Sequence, residues 1–227
     1  MRRNFLRAAA CVALGGMSAT HAAQTIAPRK LATNVVQMKG GVLVNRQRLT
    51  TWQWLQTGDE IITGPHATLT FFFSDSAFHI RQNSRVVLGR GASINQVGSL
   101  QVSRGAVASV WGRDSSGQII TPHVTANIWQ EKSRAGCGVY TEIMPNSSGS
   151  TQTYLCNCYG GLELVAGERR EMLHADHHSA IWADPVIGRY GNIASADTLN
   201  HADRELEYLA RLVGQRTAWQ TLGKKIG

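Results

Sequence analysis

Residues 55–77 read LQTGDEIITGPHATLTFFFSDSA. Gly58-Asp59 is a turn pair leading into the β-branched run Ile61-Ile62-Thr63, and Gly64-Pro65 stops that run. The next run, Leu69 to Phe73, is aromatic and β-branched with no helical period, and Ser74-Asp75-Ser76 closes it. Short strands between polar turn residues are therefore the local unit.

The same rhythm continues outward in both directions. Apolar runs recur at Val42 to Val44, Phe78 to Ile80, Val86 to Leu88, Leu100 to Val102, Ala106 to Val110, Val124 to Ile128, Val139 to Ile143, Tyr154 to Cys158 and Leu162 to Val165. Gly40-Gly41, Gly89-Arg90-Gly91, residues 145–149 and Gly160-Gly161 punctuate them. This spacing predicts an all-β domain over residues 34–182, as a short-stranded β-helix or solenoid, a sandwich or a barrel-like fold. No strict repeat length chooses among them. Residues 183–227 read as a linker followed by an amphipathic helix. Leu206, Leu209, Ala210 and Val213 fall at i, i+3, i+4 and i+7, with Gly214 as the stop.

At the other end, Arg2, Arg3 and Arg7 precede an apolar run from Ala8 to Ala19, and small residues surround Thr20-His21-Ala22. This is the pattern of a cleavable export signal over residues 1–22, and the expected location is the periplasm. The run is shorter than the roughly 20 apolar residues of a membrane-spanning helix. Arg2-Arg3-Asn4-Phe5-Leu6-Arg7 resembles a twin-arginine motif, and both twin-arginine and ordinary secretion stay open. No later stretch is apolar for long enough to span a bilayer as a helix. Residues 1–22 hold three of the 23 basic residues and none of the 15 acidic ones, so the remainder carries a net charge of +5. Its longest basic clusters, Arg169-Arg170 and Lys224-Lys225, are too small for the charged face that nucleic acid requires.

Several of these segments together resemble the FecR-like domain of bacterial periplasmic regulators. They are Gly41-Val42-Leu43-Val44, residues 55–64 with the pattern LxxGDxIxTG, residues 67–77, Gly98-Ser99-Leu100-Gln101-Val102, Gly105-Ala106-Val107 and Ile120-Thr121-Pro122-His123-Val124-Thr125-Ala126. The resemblance implies an all-β domain, often described as a right-handed β-helix, which binds or senses and is not an enzyme. The partner it implies is a periplasmic or outer-membrane protein or a small ligand. Regulatory members add a cytoplasmic anti-sigma segment and a membrane helix. This sequence carries neither, so a stand-alone exported form is expected. Gly136-Cys137-Gly138 departs from the family, which tends to have Gly-Thr there.

The departure matters because cysteines are few. Beyond the signal only Cys137, Cys156 and Cys158 remain, an odd number for an oxidising compartment. In a strand, Cys156 and Cys158 point to one face about 6.6 Å apart. That is the far edge of disulfide geometry but suits a shared ligand. A hairpin across residues 145–150 brings Cys137 opposite Cys156 or Cys158. Downstream, His174, His177 and His178 cluster in LHADHHSA, and His201 precedes the helix. The candidate metal ligands are therefore Cys156, Cys158, His177 and His178, with Cys137, His174 and His201 as optional additions. Thiolate with imidazole suits zinc, copper or an iron-containing centre. No C-x-x-C-H exists for c-type haem, and no hydrolase, metalloprotease or P-loop motif occurs. The expected function is non-enzymatic binding or sensing with a Cys/His metal or redox-sensitive site. Two alternatives stand beside it: a periplasmic thiol redox protein or thiol enzyme using the CxC pair, and a structural envelope protein with a cross-strand disulfide.

Overall fold

The computed structural model describes residues 33–113, 115–129, 136–185 and 191–223. The expected export signal lies outside them. The first strands are β1 (Val35–Lys39), β2 (Val42–Val44), β3 (Gln47–Arg48), β4 (Glu60–Thr63), β5 (Thr68–Phe73), β6 (Ser76–Ile80) and β7 (Arg85–Arg90). Then come β8 (Val97–Trp111), β9 (Gln118–Ile120), β10 (Thr125–Trp129), β11 (Cys137–Pro145) and β12 (Thr151–Ala166). The chain ends with β13 (Arg169–Ala175), β14 (Ser179–Ala183), β15 (Ile193–Ala196) and the helices α1 (Asp203–Leu212) and α2 (Ala218–Leu222).

The turn chemistry of residues 55–77 holds in detail. Asp59 accepts the Gln56 N–H at 2.7 Å, and Gly58 takes a left-handed φ of +101°. Ser74, at +50°, turns β5 back onto β6 with Phe73 opposite Ser76. Phe71, Phe78 and Trp111 then meet in the interior, with ring centroids 5.2 and 5.3 Å apart.

Strands β8, β9, β10, β12 and β11 pair in a closed ring, so the fold is an all-β barrel with extra strands on its edges. Every described pairing except β8 with β9 is antiparallel. A β-helix stacks parallel neighbours, so the barrel is the architecture realised.

Closure depends on two long strands that belong to both halves of the sheet. The sequence suggests separate runs before and after Gly105, and again around Gly160-Gly161. The structure joins each pair of runs into one bent strand. The bends sit at Gly105 (φ +78°) and Gly160 (φ +97°), where glycine permits a left-handed corner without breaking the ladder. A Cβ on Gly105 would lie 2.5 Å from the Ser84 Cα, so the corner also packs too tightly for any other residue.

Alternation along these strands makes two apolar regions. Val107 and Trp111 of β8, with Leu155, Leu162 and Leu164 of β12, face the barrel interior. Ala106, Ala108, Val110, Tyr154, Cys156 and Cys158 face the other way, under α1. The amphipathic helix buries Leu206, Leu209 and Ala210 there, and Gly214 (φ +70°) ends it as its sequence predicts. Small alanines on the sheet let the helix come close.

Candidate metal centre

The segment YLCNCY lies in β12 at the sheet face beneath α1. Strict alternation sends Tyr154, Cys156 and Cys158 to that face and Leu155 inward. Val139 pairs with Asn157 but Gly138 pairs with Tyr159, so a bulge falls at Cys158. The bulge turns Tyr159 outward as well and carries Cys137 past Cys158 in the ladder. Cys137 therefore packs in the barrel interior, its Sγ 3.9 Å from Asn157 Oδ1 and from the Gly161 carbonyl. Burial pushes its thiol well above the usual range. It faces away from the other two cysteines, and all three are unbridged.

Two histidines close over the thiols. His178 sits in the turn between β13 and β14, in a left-handed conformation (φ +54°), and its N–H bonds to the Cys158 carbonyl at 2.9 Å. His201 comes from the segment leading into α1. Cys156 Sγ lies 3.4 Å from His178 Nδ1, and Cys158 Sγ lies 3.5 Å from His201 Nε2. The sulfurs are 3.9 Å apart and the two nitrogens 3.2 Å apart. All four donor atoms fall within 4.8 Å of one another.

These four distances are close to the edges that a tetrahedral ion would require. Metal–sulfur bonds of about 2.3 Å and metal–nitrogen bonds of about 2.0–2.1 Å give S···S near 3.8 Å, S···N near 3.5 Å and N···N near 3.3 Å.

The outer contacts orient both rings. His178 Nε2 bonds to Asp203 Oδ1 at 2.7 Å, and His201 Nδ1 bonds to the Leu199 carbonyl at 2.6 Å. Each outer nitrogen lies on an oxygen acceptor, so in the neutral ring the outer nitrogen carries the hydrogen and the inner one is free to bind an ion. His201 stacks on Tyr140 with centroids 4.6 Å apart, and the His178 ring packs on Trp219 at 5.8 Å. Cys156 and Cys158 are fully buried.

The cluster's own charges favour a thiolate. The bond from Cys158, and then the bonds to His178 and His201, lower the Cys156 pKa against the opposing effect of burial. Burial raises Cys158. The bond to Cys156, helped by Asp203 and opposed by burial, raises His178. Burial works against Asp203, yet its bonds from His178 and His177 hold it below the usual carboxylate range.

His177 stands outside the tetrahedron. Its Nε2 bonds to Asp203 Oδ2 at 2.9 Å and its ring lies against Trp219, so it supports the carboxylate that supports His178. His174 packs edge-on against Trp129. Of the residues singled out from sequence, the structure gathers Cys156, Cys158, His178 and His201, and it leaves Cys137 and His174 apart. Asp203 was not among them. Its signal is the spacing His201-Ala202-Asp203, a carboxylate two residues after a candidate ligand.

No family model matches this chain. No curated protein matches it either. Two crystal structures of a candidate anti-sigma factor from Parabacteroides distasonis ATCC 8503 are similar to part of it, both at 12% sequence identity. Their TM-scores are 0.46 and 0.47, with 61% and 63% of this chain covered. The chain spans 59% and 60% of the length of those structures.

Proposed function

We propose that this protein is a non-enzymatic binding or sensing protein built around a four-coordinate zinc centre of Cys156, Cys158, His178 and His201. The observation that carries this reading is the set of four donor distances, which match a tetrahedral S₂N₂ site in each class of edge. Four protein ligands leave no position for a substrate, which fits a closed centre and not a catalytic one. Two thiolates balance the charge of a divalent ion, and tetrahedral S₂N₂ geometry is one that zinc favours. The FecR-like segments supply the setting: an exported, periplasmic module whose partner is an envelope protein or a small ligand.

A second reading rests on one observation. Cys156, His178 and Asp203 stand in the order of nucleophile, base and orienting carboxylate, at 3.4 and 2.7 Å. The complete burial of Cys156 and the second thiol beside it weigh against an approaching substrate.

Elemental analysis of the protein purified under reducing conditions separates the two. The expected result is one zinc per chain, lost in Cys158→Ser and weakened in His201→Ala but retained in Cys137→Ser and His177→Ala. A folded protein without metal whose Cys156 reacts rapidly with a thiol reagent would overturn the zinc reading in favour of the thiol enzyme.

A further inference from the structure

Three of the four donors belong to the sheet, and the fourth does not. Cys156 and Cys158 lie on β12, and His178 lies in the turn before β14. His201 lies between β15 and α1, and Asp203, which braces His178, is the first residue of α1. The centre therefore joins the C-terminal helical segment to the sheet it covers.

The rest of that joint is small in apolar area and is held by a handful of polar bonds. Of α1, only Leu206, Leu209 and Ala210 are buried, against a face that includes Ala77, Ala106 and Ala108. Polar ties run along the same segment: the Leu199 N–H donates to the Tyr154 hydroxyl at 2.8 Å, that hydroxyl donates to the Asp197 carbonyl at 3.0 Å, and Asn200 Nδ2 donates to Glu142 Oε2 at 2.9 Å. Glu205 pairs with Arg81 at 2.6 Å, and the Gln215 side chain donates to the Asp75 carbonyl at 2.6 Å. The start of the helix has no side-chain cap, because Ala202 holds the N-cap position. Asp203, which could favour that end of the helix, gives its carboxylate to His177 and His178. A helix of ten residues is marginal without tertiary support. The first turn of α1 is thus anchored by the site, through Asp203, and by the Arg81–Glu205 pair, in place of a cap.

We infer that the metal acts as a clasp: through His201 the bound ion holds α1 on the sheet, and its loss frees the helix while the barrel stays folded. The inference rests on the zinc reading and gives that centre a regulatory consequence. Zinc occupancy would decide whether the alanine and tyrosine face beneath α1 is covered or bare. In a sensing protein, this turns the presence of an ion into the exposure of a surface.

Hydrogen exchange of the full chain, followed by mass spectrometry before and after chelation, tests it. The expected result is that α1 amides lose protection at least about tenfold on chelation while those of β8 and β11 keep theirs. His201→Ala with zinc present should reproduce the chelated pattern in α1. Ala202→Ser supplies the missing cap, with Glu205 three residues on, and should restore about fivefold of protection to α1 in the chelated protein. Unchanged α1 protection after measured zinc loss would overturn the clasp and leave the zinc centre standing. Uniform loss across the barrel would also overturn it, by making the ion a fastener of the whole fold. A purified protein that neither carries nor takes up zinc would sink the zinc reading, and the clasp with it.

Discussion

The barrel interior and the face beneath α1 are equally dry but differently filled. The interior is held by Phe71, Phe78, Trp111, Leu155 and Leu162, large side chains from strands far apart in sequence. The outer face is alanine, tyrosine, two thiols and three residues of one helix. Large apolar groups stabilise by the area they remove from water, at about 25 cal/mol per Å². Alanines contribute little area, and a buried thiol gains most when something binds it. The comparison teaches that the first region can stand on packing alone, while on the zinc reading the second depends on its ligand.

The largest test of that contrast is Phe71→Ala, which should cost about 3–5 kcal/mol of global stability. The loss, read from denaturant midpoints, should be the same with zinc bound or removed. A rescue by zinc would erase the distinction between the two regions. Gly160→Ala should follow at about 1–3 kcal/mol, because its left-handed corner disfavours a side chain. A Cβ there would sit 3.0 Å from the Cys137 Cα, two residues from Cys158. Because Cys137 packs in the barrel interior, barrel stability should fall before zinc content does, and the reverse order would place the strain on the wrong region.

The smallest effect concerns pH. Burial holds the His123 pKa below the ordinary histidine value, with Asp184 partly opposing. His123 lies at the barrel, its Nδ1 2.8 Å from Thr153 Oγ1, away from the centre. The unfolded chain therefore binds a proton that the folded one refuses, so stability is full above about pH 6.5 and falls as pH drops through that value. Denaturant midpoints of chelated protein at about pH 7.5 and about pH 5.5 should show the decline, and His123→Gln should reduce it. An identical slope in the variant would assign the pH response elsewhere.

Strands and turns were legible because they are local. The LQTGDEIITG and TFFFSDS segments carry their own turn residues, and the tail carries its own period. Closure into a barrel was not legible, because it hangs on Gly105 and Gly160. In sequence both look like punctuation, and in the structure both are corners inside continuous strands. The site divides in the same way. The shared face of Cys156 and Cys158 follows from the two-residue repeat of a strand, and the histidine cluster marks one wall. The choice of His201 over His177 was hidden, since it depends on how a linker returns the chain over the sheet. Cys137 was expected opposite the pair, and the bulge at Cys158 carried it past them.

The left-handed backbone of His178 (φ +54°) has a consequence for descent. Glycine and asparagine accept that conformation with the least strain. A lineage that gave up the ion could silence this position with either residue and keep the turn, whereas a β-branched replacement would disturb both. If the four donors hold an ion, relatives that lack the two thiols should carry such a residue here, a trace of the centre written in backbone geometry and not in chemistry.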